Sequence, residues 1–202
     1  MRHILTAAIA AAICTMAGPG QAQTATPTPA PSDSGNILDK AVNIPSANWA
    51  IYGANQTNKR MTEAGSGVPG DQFVRATVTA KGANAWDAGA SSPIQKPIAA
   101  GDTILVAIWL RAPQLKDGET MPLPYIGANG AAPPYDGLVN ANVTIGKAWK
   151  LYYASGKAGK NFAGGTLNVA VHLASDKHVI DLGPVFVLDF GQNYTKPLPN
   201  NE

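Results

Sequence analysis

The chain has 202 residues, of which 45% are hydrophobic and only 14% are charged, against about 25% charged residues in an average soluble domain. Fifteen Lys and Arg face thirteen Asp and Glu, a net charge of +2. This balance argues against a nucleic-acid-binding protein, which needs a clustered excess of Lys and Arg. The 21 Gly and 16 Pro residues favour short elements and many turns over long helices.

The first 22 residues have the pattern of a cleaved signal peptide. A short positive start, Met1-Arg2-His3, precedes an uncharged run of apolar and small residues from Ile4 to Met16. Small residues at Gly20 and Ala22 match the positions that signal peptidase reads. The run is shorter than the roughly 20 apolar residues that a membrane span needs. The sequence therefore predicts a secreted or periplasmic protein of bacterial type, cleaved near Ala22 and without a membrane span.

The sequence offers few of the residues that enzymes use. Its one cysteine, Cys14, lies inside the predicted signal peptide, which leaves no disulfide, thiolate metal site or cysteine nucleophile in the mature chain. There is no Gly-x-Ser-x-Gly elbow, and only His172 and His178 remain as imidazole bases. Asp87 with Asp181 is the carboxylate pair left open for a glycosidase mechanism. We predict a protein that is not an enzyme.

Composition divides the rest of the chain into three parts. Residues 23–35 form a Pro/Thr/Ser-rich linker that cannot bury enough apolar surface to fold. Residues 36–192 are long enough for a single domain with its own core. Residues 193–202, which contain two prolines and two asparagines among the last six positions, are predicted to be a disordered tail.

Within the domain, apolar residues recur at every second position, which is typical of β-strands. The predicted strands are Gln72–Thr79, Thr103–Arg111, Trp149–Tyr153, Thr166–Leu173 and Val179–Phe190. Residues 91–100, with two prolines, are predicted to be irregular, and residues 113–140 to be a long Pro/Gly-rich loop. The pattern predicts an all-β fold, a single antiparallel β-sandwich or jelly roll.

Several phrases in this order resemble the galactose-binding-like jelly rolls that serve as carbohydrate-binding modules beside bacterial glycoside hydrolases and esterases. Asn84-Ala-Trp-Asp87 is followed by the strand Gly101–Ala112, which reads Gly-Asp-Thr-Ile-Leu-Val-Ala-Ile-Trp-Leu-Arg-Ala. Trp149-Lys-Leu-Tyr152 and the hydrophobic strand Val179–Val187 come later. The resemblance covers residues 36–192, with Ala85 where the family usually has proline and Ala88 where a glutamine often stands.

The resemblance implies a non-catalytic module that binds a plant or microbial polysaccharide or oligosaccharide, with a secreted glycoside hydrolase or a surface protein as a partner. Trp86 and Asp87 would then lie where sugar hydroxyls are contacted. Related modules often hold a structural Ca²⁺ at the edge of the sandwich, for which Asp39 and Asp189 are the oxygen ligands to expect. No other cofactor is predicted.

Alternation along two strands predicts further binding residues. Ile104, Val106, Ile108 and Leu110 would face the core, as would Leu167, Val169, Val171 and Leu173. Trp109 and Arg111 would then face outward from one strand, and Asn168, Ala170 and His172 from the other. An aromatic ring suits the apolar face of a sugar, and fixed polar groups suit its hydroxyls.

The predicted binding residues are Trp86, Asp87, Trp109, Arg111 and His172, with Tyr125 at the rim. Each has a structural alternative: Trp109 under a loop, Arg111 in a salt bridge, and His172 as a hydrogen-bonded interior histidine. The alternative function is a periplasmic or cell-surface β-sandwich domain whose aromatic face binds a protein.

Overall fold

The computed structural model of the protein describes residues 35–201, and these form a β-sandwich of ten antiparallel strands. This confirms the predicted all-β fold. The predicted signal peptide and residues 23–34 of the predicted linker lie outside the described residues. Three short 3₁₀ turns, Ile37–Lys40, Pro69–Asp71 and Ala85–Asp87, are the helical segments between 35 and 201. No helix in that range has the length and hydropathy to cross a membrane.

The ten strands follow one another with connections of varied length. They are β1 (Ala50–Gly53), β2 (Gln56–Thr62), β3 (Gln72–Val78), β4 (Ala88–Ile94), β5 (Thr103–Arg111), β6 (Thr120–Gly130), β7 (Gly137–Gly146), β8 (Lys150–Lys157), β9 (Leu167–His172) and β10 (His178–Asp189).

The strands form two five-stranded sheets that enclose the core between them. Sheet I has the order β1-β4-β9-β6-β7, and sheet II has the order β2-β3-β10-β5-β8. Alternate residues of each strand point into the core. On β5, Ile104, Val106, Ile108 and Leu110 are fully buried, and on β9 Leu167, Val169 and Val171 are too. The predicted inward residues of both strands are confirmed.

Two regions that we predicted to be irregular contain strands. Residues 91–94 belong to β4, and Pro93 pairs with Asn168 of β9. Strand β1 reaches only as far as Ser91, so Pro93 has no neighbour on its other side and its missing N–H is not needed there. The predicted loop 113–140 likewise contains β6 and the start of β7.

The same geometry admits two prolines into β6. Pro122 and Pro124 precede the stretch of β6 that pairs with β9, which begins at Ile126. The register with β7 shifts between Leu123 and Ile126. Proline is therefore tolerated in these strands where they have a neighbour on one side only.

The C-terminal residues contact sheet II, although the sequence predicts a disordered tail from residue 193. The Asn201 side chain accepts a hydrogen bond from the Tyr153 N–H and donates one to its carbonyl, both at 2.7 Å. Leu198 packs against a small apolar cluster that includes Leu105 and Leu188 on the outer face of the sheet. Because β8 is an edge strand, Asn201 occupies backbone groups that an edge leaves unpaired.

Candidate functional site

The outer face of sheet I carries a cleft of about 440 Å³. We call it the sheet I cleft, and it lies over β4, β9 and β6 with β1 at its side. Its lining residues are Tyr52, Trp86, Ser91, Asn129, Gly130, Ala131, Tyr135, Asn168, Ala170 and His172. A volume of a few hundred Å³ is typical of small-ligand sites.

Small residues leave the floor of the cleft open. Ser91 on β4 is level with Ala170 on β9, which is level with Gly127 on β6. One row along, Gly89 lies between Tyr52 and His172. A Cβ atom at Gly89 would stand 2.4 Å from the Tyr52 hydroxyl oxygen. The absence of a side chain at Gly89 is what lets the Tyr52 ring lie across β4.

Three rings form a continuous aromatic surface at one end of the cleft. The ring of Tyr125 stacks on that of His172 with centroids 4.3 Å apart and planes 16° apart. Trp86 meets His172 edge-on at 6.1 Å and is 59% exposed. Burial lowers the pKa of the His172 imidazole and favours its neutral form. Trp86, Tyr125 and His172, three of the predicted residues, are thus brought together.

The turn that presents Trp86 is fixed by its neighbours. Asn84 caps the 3₁₀ turn Ala85–Asp87, and its N–H donates to Asp87 Oδ2 at 2.8 Å. The Ala174 N–H, just past β9, donates to the Ala85 carbonyl at 2.9 Å. The hydrogen bonds from Asn84 lower the pKa of Asp87. Asp87 therefore holds the turn, and its carboxylate is committed to Asn84 rather than to the cleft.

Two amides lie at the opposite end of the cleft. Asn129 of β6 and Asn168 of β9 are cross-strand partners. The Tyr125 hydroxyl donates to Asn129 Oδ1 at 3.4 Å, and Asn129 Nδ2 donates to the Gly130 carbonyl at 3.0 Å. The side chain of Asn168 has no hydrogen-bond partner among residues 35–201, and neither has that of Ser91. These groups are available to a ligand.

Tyr135 adds a further ring to the rim. It lies in the turn between β6 and β7 with a left-handed backbone (φ 57°) and is 58% exposed. Burial raises the pKa of Tyr52, and the Tyr135 phenol adds to that rise. Tyr125 is shifted the same way by burial and by Tyr52. Tyr52 and Tyr135 both line the cleft.

Trp109 and Arg111 lie on the other side of the molecule, because β5 belongs to sheet II. They therefore do not share a cleft with Trp86 and His172, contrary to the prediction from the sequence. Alternation shows which residues share a face of their own strand, but not which sheet that strand joins. Arg111 donates to Asp181 at 2.7 Å and to Glu63 at 2.6 Å. Arg111 therefore has the structural role, a salt bridge, that the sequence analysis gave as the alternative to ligand binding.

The structure also separates Asp181 from Asp87, the two carboxylates that the sequence left open as a glycosidase pair. It is fully buried on β10 of sheet II and accepts hydrogen bonds from both Arg75 and Arg111. Asp87 lies in the exposed turn before β4 of sheet I. The two carboxylates do not form a site together.

The expected calcium ligands are placed as follows. Asp189 ends β10, and its pKa is raised by burial and by the nearby Asp102 carboxyl, while Lys40 acts in the opposite direction. Asp39 lies in the 3₁₀ turn Ile37–Lys40 and is not among the groups that act on Asp189. Within residues 35–201, no three His, Cys, Asp or Glu side chains are grouped as a metal site.

A larger groove of about 670 Å³ lies beside the start of β6 and the start of β8, but its charged groups are paired. Lys147 contacts Asp117 at 2.8 Å, and Lys116 contacts Glu119 at 3.6 Å. Because these exposed pairs satisfy one another, we regard the sheet I cleft as the better candidate.

The sequence did not point to Tyr52 or Asn129 as site residues, whereas it offered Tyr135, like Tyr125, as a residue at the rim. Tyr52 lies in a four-residue strand too short for a periodic pattern, and Asn129 lies in the region predicted as a loop. The signal that was available was the small residue Gly89 next to the Asn84–Asp87 phrase, since an open floor requires small residues.

Comparison with known proteins rests on structure. No protein-family profile and no curated protein sequence matches the chain. A structure titled "CBM4 structure and function" matches with a TM-score of 0.51 and 14% identity, covering 76% of this chain and 99% of that one. The fold is that of the jelly-roll carbohydrate-binding modules. The resemblance inferred from the sequence is therefore confirmed at the level of the fold.

Two larger proteins contain a similar fold. An arabinose-bound α-L-arabinofuranosidase, MgGH51, matches with a TM-score of 0.53 and 11% identity over 76% of this chain. The CBM22-1–GH10 modules of Clostridium thermocellum xylanase 10B, complexed with xylohexaose, match with a TM-score of 0.50 and 12% identity over 79% of this chain. The chain spans 26% and 29% of these two structures.

Proposed function

We propose that this protein is a non-catalytic carbohydrate-binding module that binds a polysaccharide or oligosaccharide in the sheet I cleft. The observation that carries the proposal is the pairing of an open aromatic surface with unpartnered polar groups. Trp86, His172 and Tyr125 offer ring faces, while Asn168 and Ser91 offer donors and acceptors without a partner among residues 35–201. Sugars present the same alternation of apolar ring faces and hydroxyls.

The structural neighbours support this class of ligand. One is described as arabinose-bound and another as complexed with xylohexaose. The predicted signal peptide supports a secreted or periplasmic location, where polysaccharides are met. A secreted glycoside hydrolase or a surface protein is the partner we propose for such a module.

The expected affinity is modest. Covering about 100 Å² of one tryptophan ring contributes roughly 2.5 kcal/mol before the costs of association. A few such contacts correspond to a Kd in the millimolar to micromolar range.

Affinity gel electrophoresis with xylan, mixed-linkage β-glucan and pectin tests the proposal. We expect at least one of these glycans to retard the wild-type protein relative to a non-binding reference protein. The Trp86→Ala variant should be retarded less on the same gel. Normal migration on all three glycans would instead favour a periplasmic or cell-surface domain whose exposed Trp86 and Tyr135 contact a protein.

A further inference from the structure

The lining of the sheet I cleft contains no formally charged side chain. None of its ten residues is Asp, Glu, Lys or Arg, although the chain has fifteen Lys and Arg and thirteen Asp and Glu. Its polar groups are amides, hydroxyls and one imidazole. Such a lining can hydrogen-bond to a ligand but cannot neutralise a ligand's charge.

Burial favours the uncharged forms of His172 and Tyr52 in the cleft and of Tyr125, which stacks on His172. Burial lowers the pKa of His172 and raises those of Tyr52 and Tyr125. Each shift favours the neutral state, because desolvation penalises charge. Around neutral pH the cleft therefore presents neutral hydrogen-bonding groups and ring faces only.

The charged groups near the rim would not attract an anion. Asp87, next to Trp86 in the sequence, is kept ionised by hydrogen bonds from Asn84 that lower its pKa. Beside the turn that carries Tyr135, Lys160 already pairs with Asp136. Arg111, the guanidinium that the sequence assigned to the site, is committed to Asp181 and Glu63 on sheet II.

We infer that the cleft selects uncharged glycans and rejects chains that carry carboxylate or sulfate groups. A sugar carboxylate entering the cleft would lose water without gaining a cation, and an unpaired buried charge is costly. A neutral sugar loses hydroxyl hydration but regains hydrogen bonds from Asn168, Ser91 and Asn129. This inference rests on the proposed function, since it names the class of glycan that the cleft binds.

The test compares two forms of one polymer. Affinity gels and isothermal titration are run with mixed-linkage β-glucan and with its C6-oxidised derivative, and in parallel with neutral arabinoxylan and glucuronoxylan. We expect the carboxylate-bearing form to bind about tenfold more weakly or worse at low ionic strength. Binding of the neutral form should be nearly independent of salt up to about 0.5 M NaCl, because it involves no ion pair.

A charge-introducing variant sharpens the test. Asn168→Lys places a cation in the cleft and should raise the binding of oxidised β-glucan relative to neutral β-glucan. Asn58→Lys adds the same charge on exposed strand β2 of sheet II and should leave that ratio unchanged. Because the readout is a ratio within one variant, a general loss of affinity does not affect it.

The outcomes separate the two proposals. Equal binding of the neutral and oxidised polymers would overturn the inference while leaving carbohydrate binding in place. Stronger binding of the oxidised polymer would overturn it as well. Failure of every polymer, neutral and charged, to bind would overturn the proposed function and the inference together.

Discussion

The two outer faces of this sandwich both carry polar groups beside aromatic rings, but only on sheet II are those groups paired within the protein. On sheet II, Asp181 accepts hydrogen bonds from Arg75 and Arg111, and Arg111 also reaches Glu63. On sheet I, Asn168, Ser91 and the rings of the cleft face a space that no described residue fills. The comparison teaches that pairing within the protein, together with residue type, separates a structural polar cluster from a candidate binding site.

The aromatic rings of the two faces also differ in what they contact. The Arg111 guanidinium lies 4.6 Å from the ring centroid of Trp149 and 5.2 Å from that of Phe73. On this face, rings and charges satisfy one another through ion pairs and cation–π contacts. On sheet I, His172 contacts the rings of Trp86 and Tyr125, and Trp86 is 59% exposed.

Removal of Asp181 should have the largest effect on stability. Asp181→Ala leaves two arginines without their buried partner, and we expect a loss of about 3–5 kcal/mol in the free energy of unfolding. Urea denaturation measures this loss. Glu63→Gln, which removes the exposed partner of Arg111, should cost much less, because water screens an exposed ion pair. Equal costs for the two variants would show that the cluster is not organised around Asp181.

A side chain at Gly89 should damage the cleft and the fold together. In Gly89→Ala the new Cβ would stand 2.4 Å from the Tyr52 hydroxyl and 2.8 Å from the Val171 carbonyl oxygen. We expect a loss of about 1–3 kcal/mol in stability from this overpacking, with weaker glycan binding because Tyr52 is displaced. Tyr52→Phe removes the hydroxyl oxygen, the atom nearest to the new Cβ, and should restore part of the stability in the double variant, while the ring carbon Cζ at 2.6 Å stays. An additive double variant would contradict the clash.

The contact between Asn201 and the edge of β8 should contribute a smaller amount. Asn201→Ala removes two hydrogen bonds to Tyr153, and we expect a loss of about 1 kcal/mol, or a fall of roughly 2–4 °C in the midpoint of thermal unfolding. Asn193→Ala, an exposed position in the same tail, is the matched control. Identical midpoints for both variants and the wild type would mean that the tail stabilises nothing, as the sequence predicted.

The lowered pKa of His172 should make the stability of the protein depend modestly on pH in the acid range. Its pKa in the folded state lies below the ordinary value of about 6.5, so in the intervening window the unfolded chain binds more protons. The stability that depends on neutral His172 is fully present above the ordinary pKa. It is lost as the pH falls towards the lower pKa of His172 in the folded state. Thermal midpoints between about pH 5 and 8 should therefore fall less steeply in acid for His172→Gln than for the wild type.

His178 must be considered in the same experiment. Burial lowers its pKa as well, so it contributes a pH dependence of the same sign. The informative quantity is the difference between the wild type and His172→Gln at each pH. A difference that does not change with pH would contradict a depressed pKa at His172.

Alternation of apolar residues was enough to predict much of the fold. Strand β5 begins and ends where the pattern predicts, and the inward residues of β5 and β9 are those that the period of two selects. The pattern failed at β4 and β6, which contain proline in places where the strand has one neighbour only. That condition depends on how far the adjacent strand extends, which is not a local property of the sequence.

The candidate site was predicted only in part for a related reason. Trp86 and His172 were identified because one lies within a recognisable phrase and the other faces outward from a clear strand. Trp109 has the same outward orientation, yet it lies on the opposite sheet. The assignment of a strand to a sheet comes from long-range pairing, so residue type and alternation could not separate these two tryptophans.

The comparison of the two faces is tested most directly by truncating one tryptophan on each. The affinities of Trp86→Ala and Trp109→Ala for the neutral glycan that retards the wild type are measured by isothermal titration, well below both unfolding midpoints. We expect Trp86→Ala to lose affinity about tenfold or more, since roughly 100 Å² of apolar contact is removed. Trp109→Ala should stay within about twofold of the wild type. Loss of binding in Trp109→Ala with binding retained in Trp86→Ala would contradict the assignment of the site to sheet I.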